Sequence, residues 1–285
     1  MEVPGEVHVE AAPAKVNLWL NVVGRRADGY HLLDSLVAFS DLADTLEIRA
    51  ADDLRLTIEG LGAETLSAEP DNLVLKAARG LADAVGRKPQ VAFRLVKRIP
   101  MAAGLGGGSA DAAAALRGLV RFWRLGLPQA DLLTLATRLG ADVPMCLLGK
   151  PSIARGIGEE LEAAPALPRC GVLLVNPGAV LPTPAVFAAR RGPFSPVQPI
   201  EAWQDLPALV EALAARGNDL TDGAISLQPV VGEVLATLRR SPGVRYAAMS
   251  GSGATCFALF DDVAGARSAA ASLPPQWWRH AGGFA

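Results

Sequence analysis

The stretch MAAGLGGGSAD, residues 101–111, decides how this chain is read. Four of the five positions from Gly104 to Gly108 are glycine, and the run that follows, Ser109–Trp123, is rich in alanine and reads as a helix. Glycine lets backbone N–H groups turn inward and lets a ligand approach with no Cβ in the way. A helix opening at the same point adds unpaired N–H groups and the positive end of its dipole. Together they make an anion site suited to a polyphosphate, and Ser109 can offer its hydroxyl to a phosphate oxygen or to a magnesium ion. A bare strand-to-helix turn would also use glycine, but four in five positions exceed what a turn needs.

Several nucleotide loops are excluded by their own requirements. A Walker A loop carries a lysine after its last glycine, and none follows here. A dinucleotide fingerprint needs glycine where Ser109 stands and an acid closing a second strand about 20 residues on, where Leu127–Asp131 instead lead into a helix. Neither HRD nor DFG, the marks of a protein kinase, is present.

Working outward, Val91–Ile99 is a strand candidate that Pro100 ends. Upstream of it, Asn72–Val85 reads as a helix with Asp71 as N-cap and Gly86 as its stop. Thr45–Arg49 and Leu54–Glu59 are further strands. From Ala14 to Val23 the alternation is nearly perfect: Ala14, Val16, Leu18, Leu20 and Val22 face one way, and Lys15, Asn17, Trp19 and Asn21 the other. That period predicts a half-buried strand with an unusual polar row, followed by a turn at Asp28-Gly29.

Downstream of the loop a helix spans Gln129–Leu139 and is closed by Gly140. The proline-dense stretch 177–207 predicts a linker with a long loop. Helices at Leu206–Arg216 and Pro229–Arg240, strands at Val244–Met249 and Thr255–Phe260 around Ser250-Gly-Ser-Gly253, and a helix at Val263–Ser272 complete the pattern before Trp277-Trp278. Strands and helices mix without a strict βαβα rhythm, so the expected class is α+β, with a domain boundary near residue 165 separating 1–165 from 166–285.

Of the 285 residues, 51% are hydrophobic and 20% charged, which fits a folded enzyme and excludes disorder. A formal net charge of -2 argues against a nucleic-acid or anionic-membrane partner. Cys146, Cys170 and Cys256 are scattered, and His8, His31 and His280 do not cluster with them, so neither zinc nor disulfides are expected and a reducing cytoplasm is the simplest setting. The acidic start, Met1–Glu10, does not read as a signal peptide, and no apolar run is long enough to span a membrane.

Three stretches carry a family resemblance. Pro100–Asp111, read onward as P-x3-GLGGGSADAA, resembles the phosphate loop of the superfamily of galactokinase, homoserine kinase, mevalonate kinase and phosphomevalonate kinase. Pro13-Ala-Lys-Val-Asn-Leu18 resembles its first motif and Ser250-Gly-Ser-Gly-Ala-Thr255 its third, in the same order along the chain. Within the superfamily the chain is most similar to the 4-diphosphocytidyl-2-C-methyl-D-erythritol kinases, through PAKVNLWLNVVGRRADGYH at 13–31, DNLV at 71–74, LGADVP at 139–144 and LPTPAVF at 181–187. Ala102 and Ala103 stand where close relatives often carry glycine, and Ala110 where many carry a second serine.

The resemblance implies two domains, an N-terminal one like the second domain of ribosomal protein S5 and a ferredoxin-like C-terminal one, with the active site in the cleft between them. It implies transfer of the γ-phosphoryl of ATP, with Mg2+, to the 2-hydroxyl of a cytidine diphosphate-linked methylerythritol in the non-mevalonate isoprenoid route; a homoserine- or mevalonate-type alcohol is the alternative. The small-molecule kinase is expected as a monomer or weak homodimer.

The resemblance also assigns residues. Asp142 is the acid/base that accepts the hydroxyl proton, and Lys15 pairs with it and offsets transition-state charge. Asn17, on Lys15's strand face, together with Tyr30, His31, Thr183 and Phe187, binds the substrate, with Tyr30 and His31 at the cytidine ring. Pro100, Met101, Ala102, Ala103, Gly104, Leu105, Gly106, Gly107, Gly108, Ser109 and Ala110 hold the nucleotide phosphates. Asn72 and Leu73 lie near the adenine, Lys97 reaches the nucleotide, and Gly251, Ser252 and Gly253 close over the phosphates. Plainer roles stay open: a helix start for Asn72, an exposed strand lysine for Lys97, a hairpin turn for Gly251–Gly253. The magnesium ligands are unknown, and Asp219 and Trp277/Trp278 receive no assigned role.

Overall fold

The alternating row lies inside a long strand, β1 (His8–Arg25), which turns back into β2 (His31–Ala50). The turn is where Asp28-Gly29 placed it: Arg26 N–H donates to the Tyr30 carbonyl at 2.7 Å, Gly29 N–H to the Arg26 carbonyl at 3.0 Å, and Gly29 has φ +91. The chain continues through β3 (Arg55–Gly60), α1 (Ala63–Ser67), α2 (Leu73–Ala84), β4 (Val91–Lys97), α3 (Gly107–Phe122), α4 (Gln129–Leu139) and α5 (Val143–Leu148). After β5 (Ser152–Gly156), β6 (Glu160–Ala163) and β7 (Gly171–Asn176) come four helices, α6 (Thr183–Ala189), α7 (Leu206–Arg216), α8 (Thr221–Leu227) and α9 (Val230–Arg239). The chain closes with β8 (Val244–Met249), β9 (Cys256–Phe260), α10 (Val263–Ala271) and β10 (Trp278–Gly282). The computed structural model describes residues 7–67 and 72–285, so the expected cap Asp71 and the first residues of the acidic start lie outside the described residues.

The chain forms two compact units. The first comprises Met1–Ala14, Leu42–Met101 and Gly106–Gly149; the second comprises Lys15–Asp41, Ala102–Leu105 and Lys150–Ala285. In the first, Thr45–Ala50 of β2 runs antiparallel to β4, and β3 runs parallel to β4. Its core gathers Leu46, Ile48, Phe93, Leu95, Val74, Leu81, Leu116 and Leu119. The alanines of α3 give this helix a thin face: Ala112–Ala115 are fully buried, and a Cβ at Gly118 would collide with Ile48. Small side chains at that approach let α3 lie close to β2.

In the second unit, Leu33–Val37 of β2 pairs antiparallel with β5, and β5 with β6. A separate four-stranded antiparallel sheet has the order β10-β7-β9-β8. Its central strands β7 and β9 are buried along their whole length, and Val175, Leu235, Phe260 and Trp277 share one core with Leu20 and Val22 of β1.

Two expectations are corrected. The first strand is not half-buried: Lys15, Asn17, Trp19 and Asn21 are 7%, 5%, 0% and 4% exposed. Its polar row is satisfied internally, with Asn17 donating to Ser35 at 2.8 Å, Trp19 to Asp34 at 2.9 Å and Asn21 to the Arg216 carbonyl at 2.9 Å. The stretch 177–207 is not all loop either, since it contains α6. Pro184 lies in the first turn of α6, where a missing N–H costs nothing and a fixed φ favours the helix.

Candidate active site

The phosphate loop is built as its glycines require. Gly104 and Gly106 have φ of +74 and +64, backbone that an L side chain resists, and Gly106 is the N-cap of α3. Ala102 adopts φ +48 as well, so this chain holds an alanine in left-handed backbone. Leu105 is buried and its carbonyl accepts from Lys15 N–H at 3.0 Å, which pins the loop to β1. Past the cap, Gly107, Gly108 and Ser109 form the first turn of α3, with Ser109 partly exposed and Ala110 buried. Pro100 is partly exposed and Met101 is 40% exposed at the loop's entry.

In the second unit the three motifs converge. Lys15 Nζ donates to Asn17 Oδ1 at 2.7 Å, and Asn17 N–H donates to Ser250 Oγ at 3.1 Å. Ser250 Oγ donates in turn to the Gly104 carbonyl at 3.3 Å, and Thr255 N–H reaches the Ala103 carbonyl at 3.3 Å. The turn between them is packed against the loop: a Cβ on Gly104 would lie 2.7 Å from the Gly253 oxygen and 2.8 Å from the Ser250 oxygen. A Cβ on Gly251 would lie 3.1 Å from Asn17 Oδ1 and 3.8 Å from Lys15 Nζ. Ser252 shares a 2.8 Å hydrogen bond with Thr183, which joins this turn to the start of α6.

The expected substrate residues also meet. His31 stacks on Phe187 with ring centroids 5.0 Å apart and 22° between planes, and Tyr30 beside it is 61% exposed. Burial first, then the charges of Arg25 and Arg190, holds the His31 imidazole below its ordinary range, so it is neutral at pH 7.

In the first unit Asn72 caps α2, its side chain accepting from Val74 N–H at 2.9 Å, and Leu73 reaches the helix start of α3, within 3.7 Å of a Cβ on Gly108. Lys97 is not an exposed strand lysine. It is 4% exposed and bridges Asp44 and Asp111, the latter at 2.6 Å, with its ammonium 3.4 Å from a Cβ on Gly107. Asp44 also accepts from the Ile99 N–H at 2.8 Å. Burial, reinforced by the nearby Asp44 charge and opposed by Lys97, pushes the Asp111 carboxyl up to about 7. Asp142 is the N-cap residue of α5, partly exposed, and its side chain makes no cap hydrogen bond.

Ser250, Ser35, Asn218 and the Asp44–Asp111 pair enter the site's framework without having been singled out as site residues. Ser250 lay within the quoted third motif and Asp111 at the end of the quoted loop; Ser35, Asn218 and Asp44 bear no local pattern that marks them. Among the described residues no group of three or more His, Cys, Asp or Glu converges as a metal site, and no helix is long and apolar enough to cross a membrane. Cys146, Cys170 and Cys256 are buried, and burial pushes the Cys170 thiol up to about 11.

Residues 72–150 match the GHMP kinases N terminal domain and residues 200–280 the GHMP kinases C terminal domain. A 4-diphosphocytidyl-2-C-methyl-D-erythritol kinase of Rhodospirillum rubrum is 53% identical over 277 residues, covering 96% of this chain and 91% of the relative. The chain belongs to the GHMP kinases, in the 4-diphosphocytidyl-2-C-methyl-D-erythritol kinase family. A second member of that kinase family, from Paramagnetospirillum magneticum, is 55% identical over 271 residues, covering 94% of this chain and 95% of the relative. The crystal structure of a 4-(cytidine 5'-diphospho)-2C-methyl-D-erythritol kinase superposes with TM-score 0.80 at 38% identity, covering 97% of this chain and 98% of that one. As a GHMP kinase the protein is a small-molecule kinase.

Proposed function

We propose that this kinase transfers the γ-phosphoryl of ATP to the 2-hydroxyl of 4-diphosphocytidyl-2-C-methyl-D-erythritol, in the cytoplasm. The observation that carries the reading is the interlock of the three motifs: Lys15, Asn17 and Ser250 join the first strand and the second glycine turn to the phosphate loop at Gly104. The relatives, each named for that substrate, support it, as does the His31–Phe187 stack flanked by the charges of Arg25 and Arg190. A stacked aromatic surface beside guanidinium charge suits a nucleoside diphosphate, and the neutral imidazole can both donate to and accept from a pyrimidine edge.

In this reading the N–H groups of Gly106–Ser109 and the dipole of α3 hold the phosphates, and Gly251–Gly253 close over them. Asp142 accepts the hydroxyl proton, and Lys15 offsets the charge that develops on the transferring group. Asn72 and Leu73 border the adenine, and Lys97, engaged by two carboxylates, supports the loop from beneath. Ser109 is the hydroxyl the loop would offer to a magnesium ion carried on the ATP phosphates, where the ion would neutralise phosphate charge. Residues 1–165 form the S5-like domain and 166–285 the ferredoxin-like one. The two family matches fall on either side of that boundary, and the β10-β7-β9-β8 order with α6–α9 and α10 as crossovers supports the second assignment.

The test is ADP release by the purified protein with ATP and magnesium, with and without the cytidine substrate. Strong stimulation by that substrate is expected. No stimulation, in protein that binds ATP, would turn the reading to homoserine, mevalonate or a related alcohol.

A further inference from the structure

Asn218 and Asp219 sit between α7 and α8, next to each other in sequence, yet they hold two different parts of the second unit. The Asn218 amide donates to the Met249 carbonyl at 2.8 Å and the Gly251 carbonyl at 2.9 Å, while its own carbonyl accepts from Leu220 N–H at 2.9 Å. It therefore fixes the glycine turn that packs on Gly104. Asp219 works on the opposite side. Its Oδ2 accepts from Val22 N–H at 2.7 Å and Ser195 Oγ at 2.8 Å and lies 3.7 Å from Arg190, and its Oδ1 accepts from Asn21 at 3.4 Å. Arg190 closes α6 by donating its N–H to the Val186 and Phe187 carbonyls. Its guanidinium is 9% exposed, donates to the Gly192 carbonyl at 3.2 Å and lends its charge to His31. The backbone of β1 anchors the pair, with Leu20 N–H donating to the Gly217 carbonyl at 3.1 Å and Asp219 N–H to the Leu20 carbonyl at 2.9 Å.

We propose that Asn218 and Asp219 are positioning residues with divided duties: Asn218 sets the glycine turn for ATP, and Asp219 sets the β1–α6 frame on which His31 and Phe187 meet the cytidine substrate. The proposal rests on the kinase reading above for the identity of the two ligands. A pair that only held the fold together would, when altered, lower the folded fraction and the apparent kcat and leave both KM values in place. Divided duties separate the two KM values instead. Losing the Asn218 donor frees the two carbonyls that hold the turn. Replacing the Asp219 carboxylate with an amide removes the counter-charge of Arg190 and sets a second amide against Asn21.

The experiment measures KM for ATP and for 4-diphosphocytidyl-2-C-methyl-D-erythritol in the full chain, in Asn218→Ala and in Asp219→Asn. Asn218→Ala is expected to raise KM for ATP about tenfold and to hold the other within about twofold. Asp219→Asn is expected to do the reverse by a similar factor. If Asn218→Ala does not fold, Asn218→Ser, which keeps an acceptor for Leu220 but cannot span both carbonyls, takes its place. Calorimetric affinities for ATP and for cytidine diphosphate, taken on the same proteins, repeat the comparison without turnover. A wild-type protein that does not turn over the substrate would count against the kinase reading, and these affinities still judge the division. Equal changes in both ligands for either variant, or no change in either, would overturn it.

Discussion

Gly104→Ala is the perturbation that reports most sharply on how the loop is held. Gly104 has φ +74, and left-handed backbone costs an alanine about 1–2 kcal/mol. The added Cβ would also press on two backbone oxygens, 2.7 Å away at Gly253 and 2.8 Å away at Ser250. Neither can rotate aside as a side chain would, so overpacking adds about 1–3 kcal/mol. The expected destabilisation is then about 2–5 kcal/mol, unless the turn retreats from the loop, in which case the cost appears as lost ATP affinity of about tenfold or more. Gly86→Ala is the control: it has φ +64 but open space within 4 Å, so it bears the backbone cost alone, about 1–2 kcal/mol. The assay pairs urea unfolding followed by tryptophan fluorescence with calorimetric ATP binding. If Gly104→Ala is no more destabilising than Gly86→Ala and binds ATP normally, the interlock of loop and turn is not what holds the site.

Other outcomes follow from the same geometry. Asp142→Asn should fold and bind ATP yet lose turnover by about a hundredfold or more, and near-normal kcat would remove Asp142 from its role as base. Lys97→Met leaves Asp44 and Asp111 buried without their cation, so it should destabilise the protein by about 3–5 kcal/mol in urea unfolding; a mild effect would mean the carboxylates reach water. Because Asp111 binds its proton more tightly folded than unfolded, with a folded value of about 7, its contribution to stability declines as pH rises from about 4 to 7. Asp111→Asn abolishes that decline, so its stability relative to wild type should rise between pH 5 and pH 7.5, and a constant difference would contradict the raised value. Phe187→Ala should raise KM for the cytidine substrate several-fold with KM for ATP unchanged, since its ring partners His31.

Much of this molecule was legible in its sequence where a local signal exists. The loop glycines, the Asp28-Gly29 turn, and α4 and α7 to the residue follow from conformational preference and capping, which act over a few neighbours. The strands β7 and β10 carried no such mark. Cys170–Val175 is a continuous apolar run, as expected of a strand buried on both faces, and continuous runs have no period to read. The same burial misled the reading of β1, where alternation was real but its polar row faces partners such as Ser35, Asp34 and the Arg216 carbonyl rather than water. α8 begins at Thr221 without a side-chain cap and spans only two turns, too short for a hydrophobic stripe to emerge. At the site, residues in the quoted motifs could be put forward as candidates in advance. Asp44 and Asn218 could not, because their importance lies in what the fold places opposite them, at Lys97 and Gly251, far away in sequence.

The most direct test of the central claim is phosphorus NMR of a reaction containing the protein, ATP, magnesium and 4-diphosphocytidyl-2-C-methyl-D-erythritol. Loss of the ATP γ resonance with growth of one new phosphomonoester resonance, the substrate's diphosphate signals persisting, is the expected result, with no such resonance when homoserine or mevalonate replaces the substrate. Inorganic phosphate as the only product, or a phosphomonoester formed on homoserine or mevalonate instead, would contradict the account.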